Sequence, residues 1–167
     1  ATIVGFSIGQ ALAGKHPVMA IVSTVFHVCL FAAPLLLVAH SELLHESWGV
    51  SFLTLPDSVC DTMTAVLLAC CLFFLARRIV VPQVRAVSSL TDYLLLFITA
   101  APFLTGFFAY HQWFSYNTVL VLHMLAGEAM LIAIPFSKLG HMVFFFFVRL
   151  LMGSEFSFGS GARVWTP

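Results

Sequence analysis

The sequence predicts an all-α fold, an integral membrane bundle of four clear transmembrane helices, and three observations predict it. Hydrophobic residues make up 61% of the 167-residue chain and charged residues only 8%, against roughly 25% charged in a soluble domain. Four stretches nearly free of charge reach the ~20 residues needed to cross a hydrocarbon core about 30 Å thick. Lysine and arginine gather on one side of those stretches and most carboxylates on the other. The chain is therefore read as a multi-pass membrane protein, with the lipid bilayer as its first partner. A formal net charge of zero offers no basic field to phosphates, so nucleic acid is excluded as a partner.

The first span is read at residues 17–41, which contain no Asp, Glu, Lys or Arg. Pro34 removes one amide donor inside it and predicts a kink that neighbouring helices repair. The loop from Ser41 to Leu55 carries Glu42, Glu46 and Trp48 without a cation. A second span follows at residues 56–77. Asp57 and Asp61 stand at its start and Arg77 and Arg78 at its end, the polarity that the helix dipole favours. After the polar link VPQVRAVSSLTD a third span covers residues 90–110, and the turn YHQWFSYN is expected to pack Tyr110, Trp113 and Tyr116 together at a membrane interface. The fourth helix is predicted to start near Asn117 and to run past Pro135 to about Leu151, with HMVFFFFVRLLMG as a possible interfacial helix.

Domain organisation is accordingly an N-terminal segment (1–16), one transmembrane bundle (17–151) and a polar, Gly-rich cytoplasmic tail (152–167). No signal peptide is recognisable. Residues 1–14 are too short to cross alone, which suggests an interfacial segment or the remainder of a fifth, N-terminal helix. All seven cations, Lys15, Arg77, Arg78, Arg85, Lys138, Arg149 and Arg163, fall at one membrane side, which identifies it as cytoplasmic. Cys29, Cys60, Cys70 and Cys71 form no CxxC pair and read as buried structural thiols.

Chemistry enters through the histidines: His16, His27, His40, His45, His111, His123 and His141. His123 and His141 lie eighteen residues apart, five turns of an unbroken helix, which puts both rings on one face at levels about 27 Å apart. The first span runs outward and the fourth inward, so His27 and His141 share the cytoplasmic half while His40 and His123 share the outer half. Two cross-helix pairs at two depths suit two six-coordinate haems that carry electrons across the bilayer. Helical phase does not select His40, because thirteen residues from His27 turn about 220°, whereas His45 returns to the same face. His40 closes the uncharged run and His45 sits between Glu42 and Glu46 in an expected loop; both stay open as the second outer ligand. Glu128 is the one carboxylate well inside a span, either a protonated acid bonding nearby backbone or a proton relay.

The strings FH at 26–27, RRIVVPQVRAVSSLTDYLLL at 77–96 and LHMLAGEAMLIAIPFSKLGH at 122–141 resemble the γ subunit of respiratory nitrate reductase. They resemble still more the cytochrome b subunits of the Tmc, Hmc and Dsr transmembrane redox complexes of sulfate reducers, to which AYHQW at 109–113 and MGSEF at 152–156 are also similar. The resemblance implies two b haems bound by His27, His40, His123 and His141, and a quinone site, for menaquinone, beside the outer haem. Other membrane subunits, a cytoplasmic iron–sulfur subunit and a periplasmic multihaem cytochrome c are the implied partners, in anaerobic respiration or sulfate reduction. Where the nitrate reductase family carries a lysine near its quinone, this chain has Cys60, so Asp57, Asp61 or His45 would supply the proton contacts. Glu128, Asp57 and Asp61 are thus the candidate proton-handling residues of a quinone-reactive subunit in a multi-subunit oxidoreductase. The competing readings are a cofactor-free membrane anchor, a proton-conducting transporter-like module and, ranked last, a thiol–quinone oxidoreductase.

Overall fold

A computed structural model describes residues 17–141 and Phe144. Expectations for segment 1–16, for the fourth helix beyond His141 and for tail 152–167 lie outside the described residues, as do Lys15, His16, Arg149 and Arg163. Among the described residues there are six α-helices and no strand: α1 (Pro17–Leu36), α2 (Val38–Trp48), α3 (Asp57–Val80), α4 (Pro82–Ala86), α5 (Leu90–His111) and α6 (Tyr116–Phe136), followed by a 3₁₀ turn at Lys138–Gly140. Four of them, α1, α3, α5 and α6, are long and apolar enough to span a membrane.

Apolar composition makes these helices, since lipid offers no alternative partner for the backbone. Local signals set their ends. Pro17 opens α1 at a position where its missing N–H costs nothing. Asp57 opens α3, and Arg77 and Arg78 close it. Ser89 caps α5, its amide donating to the Asp92 carboxylate at 2.8 Å. Gly49, at φ 68°, ends α2 with its N–H on the His45 carbonyl.

Two expectations about continuity are corrected. The first span is not one kinked helix over residues 17–41 but two helices separated at Leu37, which is extended (φ −74°, ψ 131°). Leu37 pairs with Leu55, and the Leu55 amide donates to the Leu36 carbonyl at 2.8 Å, so the returning loop replaces the helical bonds lost after Pro34. His45 therefore lies in the last turn of a helix rather than in a loop. The fourth span stops at Phe136 instead of continuing past Pro135: Ser137 is extended and its hydroxyl accepts from the Leu139 amide at 3.2 Å. A proline in the last turn has already removed one rung, and the chain leaves the helix there. His123 and His141 do not share a helix, and about 20 Å of α6 separates His123 from Phe136.

Packing follows chain order: α1 against α3, α3 against α5, α5 against α6. The core between α1, α3 and α5 is built from Phe26, Cys29, Leu30, Leu67, Cys70, Cys71 and Phe103, with Leu67 fully buried. All four cysteines are buried and unpaired, as expected of structural thiols. The ends of the series, α1 and α6, are not packed on each other along their lengths. Val119 is the one buried residue of α6, so this helix turns one side to α5 and leaves most of its surface open.

Charges sort to the two ends. Arg77, Arg78, Arg85 and Lys138 mark a cationic end, where the Asp92 carboxylate takes Lys138 at 2.8 Å and Arg78 at 4.0 Å. Asp57 and Asp61 mark the acidic end. There Trp113 meets the Phe107 and Phe108 rings at 5.7 Å and His111 at 5.7 Å. The expected cluster thus forms around Trp113, but with phenylalanines; Tyr110 and Tyr116 are exposed.

Candidate functional site

Four histidines face one another across the gap between the two ends of the helix series. His27 on α1 lies opposite His141, their ring centroids 5.9 Å apart with planes at 80°. His40 on α2 lies opposite His123 on α6, again at 5.9 Å, with planes at 11°. Parallel rings at that distance are too far apart for face-to-face contact, which needs about 3.5–4.0 Å. Each pair comes from two elements that otherwise hardly touch. The interruptions at Leu37 and Ser137 supply this arrangement, because each frees the following histidine from the rotation of the preceding helix.

Every one of the four rings uses Nδ1 for a backbone carbonyl. His27 donates to Ser23 at 2.7 Å, His40 to Pro34 at 2.8 Å, His123 to Pro102 at 2.8 Å and His141 to Lys138 at 2.6 Å. A carbonyl only accepts, so the proton sits on Nδ1 and Nε2 keeps its lone pair. The local reasons differ. The break at Leu37 removes amide donors that a continuing helix would have offered to the Pro34 carbonyl, and His40 takes their place. Pro102 lies within α5, and its carbonyl serves His123 through a second lone pair. Thr105 Oγ1 adds a contact at 3.3 Å. Gly106 lets α6 come this close: a Cβ there would stand 3.1 Å from His123 Cε1. His27, His40 and His123 are half-buried and His141 is exposed.

The remaining candidates separate from these pairs. His45 is exposed and contributes to neither, so of the two open choices it is His40 that meets His123. Asp57 is exposed at the start of α3. Asp61 pairs with His111, whose Nε2 lies 3.1 Å from its Oδ1. Glu128 is exposed on α6 and makes no hydrogen bond or ion pair among the described residues. Sequence reasoning missed the supporting residues Pro102, Gly106, Asp92 and Lys138, and gave His111 no role. Lys138 holds His141 with its carbonyl while its ammonium grips Asp92 on α5. A cavity of about 300 Å³ opens beside it at the cationic end, lined in part by Met19, Phe74, Arg77, Arg78, Asp92 and Lys138.

A protein from Nitratidesulfovibrio vulgaris strain Hildenborough is 34% identical over 153 residues, which cover 92% of this chain and 68% of that protein. The chain belongs to the same family as that protein. No family model matches it, and no solved structure matches it.

In this family member the four histidines fit axial ligation of a planar macrocycle. Metal–imidazole bonds are about 2 Å, and adding roughly 1 Å from each nitrogen to its ring centre gives centroids about 6 Å apart, close to the 5.9 Å found in both pairs. A ligating imidazole characteristically gives its other N–H to a carbonyl or carboxylate, which fixes tautomer and ring orientation. Among the described residues no group of three or more His, Cys, Asp or Glu side chains could hold a metal ion.

Proposed function

We propose that this chain is a membrane di-haem b electron-transfer subunit of the kind found in the nitrate reductase γ and Tmc, Hmc and Dsr complexes. The observation that carries the reading is the shared hydrogen-bonding of four histidines in two facing pairs: each ring gives Nδ1–H to a backbone carbonyl and keeps Nε2 for iron. His27 and His141 would hold one haem toward the cationic end, and His40 and His123 the other toward the acidic end. Haem iron supplies a one-electron carrier whose potential the axial ligands and their hydrogen bonds tune.

The protein's own part is positional. Ser23, Pro34, Pro102 and Lys138 carbonyls hold the four rings in one tautomer, and the lipid-embedded helices exclude water around them. Some 20 Å of α6 separates the levels of the two pairs, a large share of a hydrocarbon core about 30 Å thick. The cationic cavity beside Lys138 offers Arg77 and Arg78 to the carboxylates that haem b carries. With the cationic end cytoplasmic, electrons pass between menaquinol at the outer, acidic end and an iron–sulfur partner inside, with a multihaem cytochrome c docking outside. Glu128, exposed at mid-span, favours a further membrane subunit against α6, because a carboxylate facing lipid is costly.

A reduced-minus-oxidised spectrum of the purified full chain, with haem quantified against protein, tests the reading. Two b-type haems per chain are expected; a preparation expressed with ample haem supply but without b-type bands would rule it out.

A further inference from the structure

We propose that His111, oriented by Asp61, is the proton acceptor for quinol oxidation at the acidic end of the bundle. The proposal rests on the electron-transfer reading above and adds to it a site built from α3 and α5. His111 is the last residue of α5, and Asp61 stands in the second turn of α3. Their Nε2–Oδ1 distance of 3.1 Å joins the two helices. A carboxylate accepts, so Nε2 of His111 carries the proton and Nδ1 is left with its lone pair. This is the tautomer opposite to that of the four paired histidines, all of which bind a carbonyl through Nδ1–H. Four rings present Nε2, as a metal ligand must in this arrangement, and His111 presents a basic nitrogen backed by a carboxylate, as a general base does.

Position and surroundings fit the substrate class. Gly106 of α5 lies against His123, and His111 follows it by five residues, so its ring stands about 7.5 Å further toward the acidic face than the outer pair. The His111 and Asp61 side chains keep 32% and 24% of their exposure, enough for a ligand to reach them. Phe107 packs at 4.3 Å and Trp113 at 5.7 Å from the imidazole, an aromatic wall against which a planar quinol ring can lie. Trp113 is exposed where a lipid-soluble ring would approach from the bilayer. The titratable neighbours on the same two helices are Asp57 and Cys60 on α3 and Tyr110 on α5, whose ring lies 5.1 Å from that of His111.

In the step proposed, a quinol O–H bond breaks as an N–H bond forms at His111 Nδ1; His40 and His123 would hold the haem that, when bound, would accept the accompanying electron. The imidazolium, stabilised by Asp61, returns its proton to water at the acidic face. Repeated once, the step yields quinone and two released protons, and the bound haem would take up the two electrons one at a time.

The test uses the full chain in nanodiscs with a water-soluble naphthoquinol, in variants His111→Gln and Asp61→Asn. Both are expected to keep the dithionite-reduced spectrum while quinol-driven haem reduction slows by about a hundredfold in His111→Gln, the usual loss on removing a general base. A readout independent of turnover is quenching of Trp113 emission by the oxidised naphthoquinone, measured with Trp48→Phe and Trp165→Phe as background. Quenching is expected, with affinity about fivefold weaker in His111→Gln, the loss of one hydrogen bond. Unchanged rate and quenching in both variants, with b-type bands intact, would overturn this proposal alone. Absence of b-type bands would overturn the electron-transfer reading and the redox step together.

Discussion

The outer and inner histidine pairs have the same ring separation but are held in different ways. In the outer pair, His123 reaches from α6 to the Pro102 carbonyl on α5, twenty-one residues away in sequence, with Gly106 beneath the ring. His40 bonds the Pro34 carbonyl across the break between α1 and α2. Both bonds cross from one element to another, so helix packing sets this geometry. In the inner pair, His27 bonds a carbonyl of its own helix and His141 one three residues back. Among the described residues the Lys138–Asp92 ion pair links the turn before His141 to α5. Equal spacing can thus arise from bonds between elements at one end and from local bonds braced by an ion pair at the other.

The largest expected effect comes from removing a ring. His123→Ala and His27→Ala are each expected to lower the haem-to-chain ratio from about two to about one, with different bands surviving, because each pair needs both axial ligands. Loss of both haems in either variant would show that the pairs are not independent. Gly106→Val is next: the new Cβ would meet His123 at 3.1–3.3 Å, and overpacking of this kind costs about 1–3 kcal/mol. Its outer-haem bands are expected to shift or vanish while the inner ones stay. Asp92→Asn should act least and only on the inner pair, since Lys138 is largely exposed and salt screens its pairing. A fall in inner-haem occupancy that becomes smaller as the parent is compared at rising ionic strength would sharpen the contrast; a change in the outer bands would break it.

Much of this bundle was legible before any coordinates. The four spans follow from apolar runs that only a helix can carry through lipid, and the ends of α3 from Asp57, Arg77 and Arg78. That His27 lies opposite His141 was legible from topology, since antiparallel spans place residues by depth without regard to helical phase. The choice of His40 over His45 did not follow, because it depends on the break at Leu37, and that break depends on a loop residue, Leu55, eighteen positions away. Pro135 signalled an interruption near Ser137, yet an apolar run continuing past it read as uninterrupted helix. The acceptors at Pro102 and Lys138 are backbone atoms with no side-chain signature. His111 carried a signal in its place between Tyr110 and Trp113, but its tautomer became readable only with Asp61 beside it.

The break at Leu37 also bears on how such a chain can change over evolutionary time. In a continuous helix, inserting one residue swings everything beyond it by about 100° and lifts it by about 1.5 Å. Here an insertion between His27 and Pro34 would swing the Pro34 carbonyl away from His40 and the Leu36 carbonyl away from Leu55. The interval from His27 to the break is therefore a length that this half of the bundle has to keep.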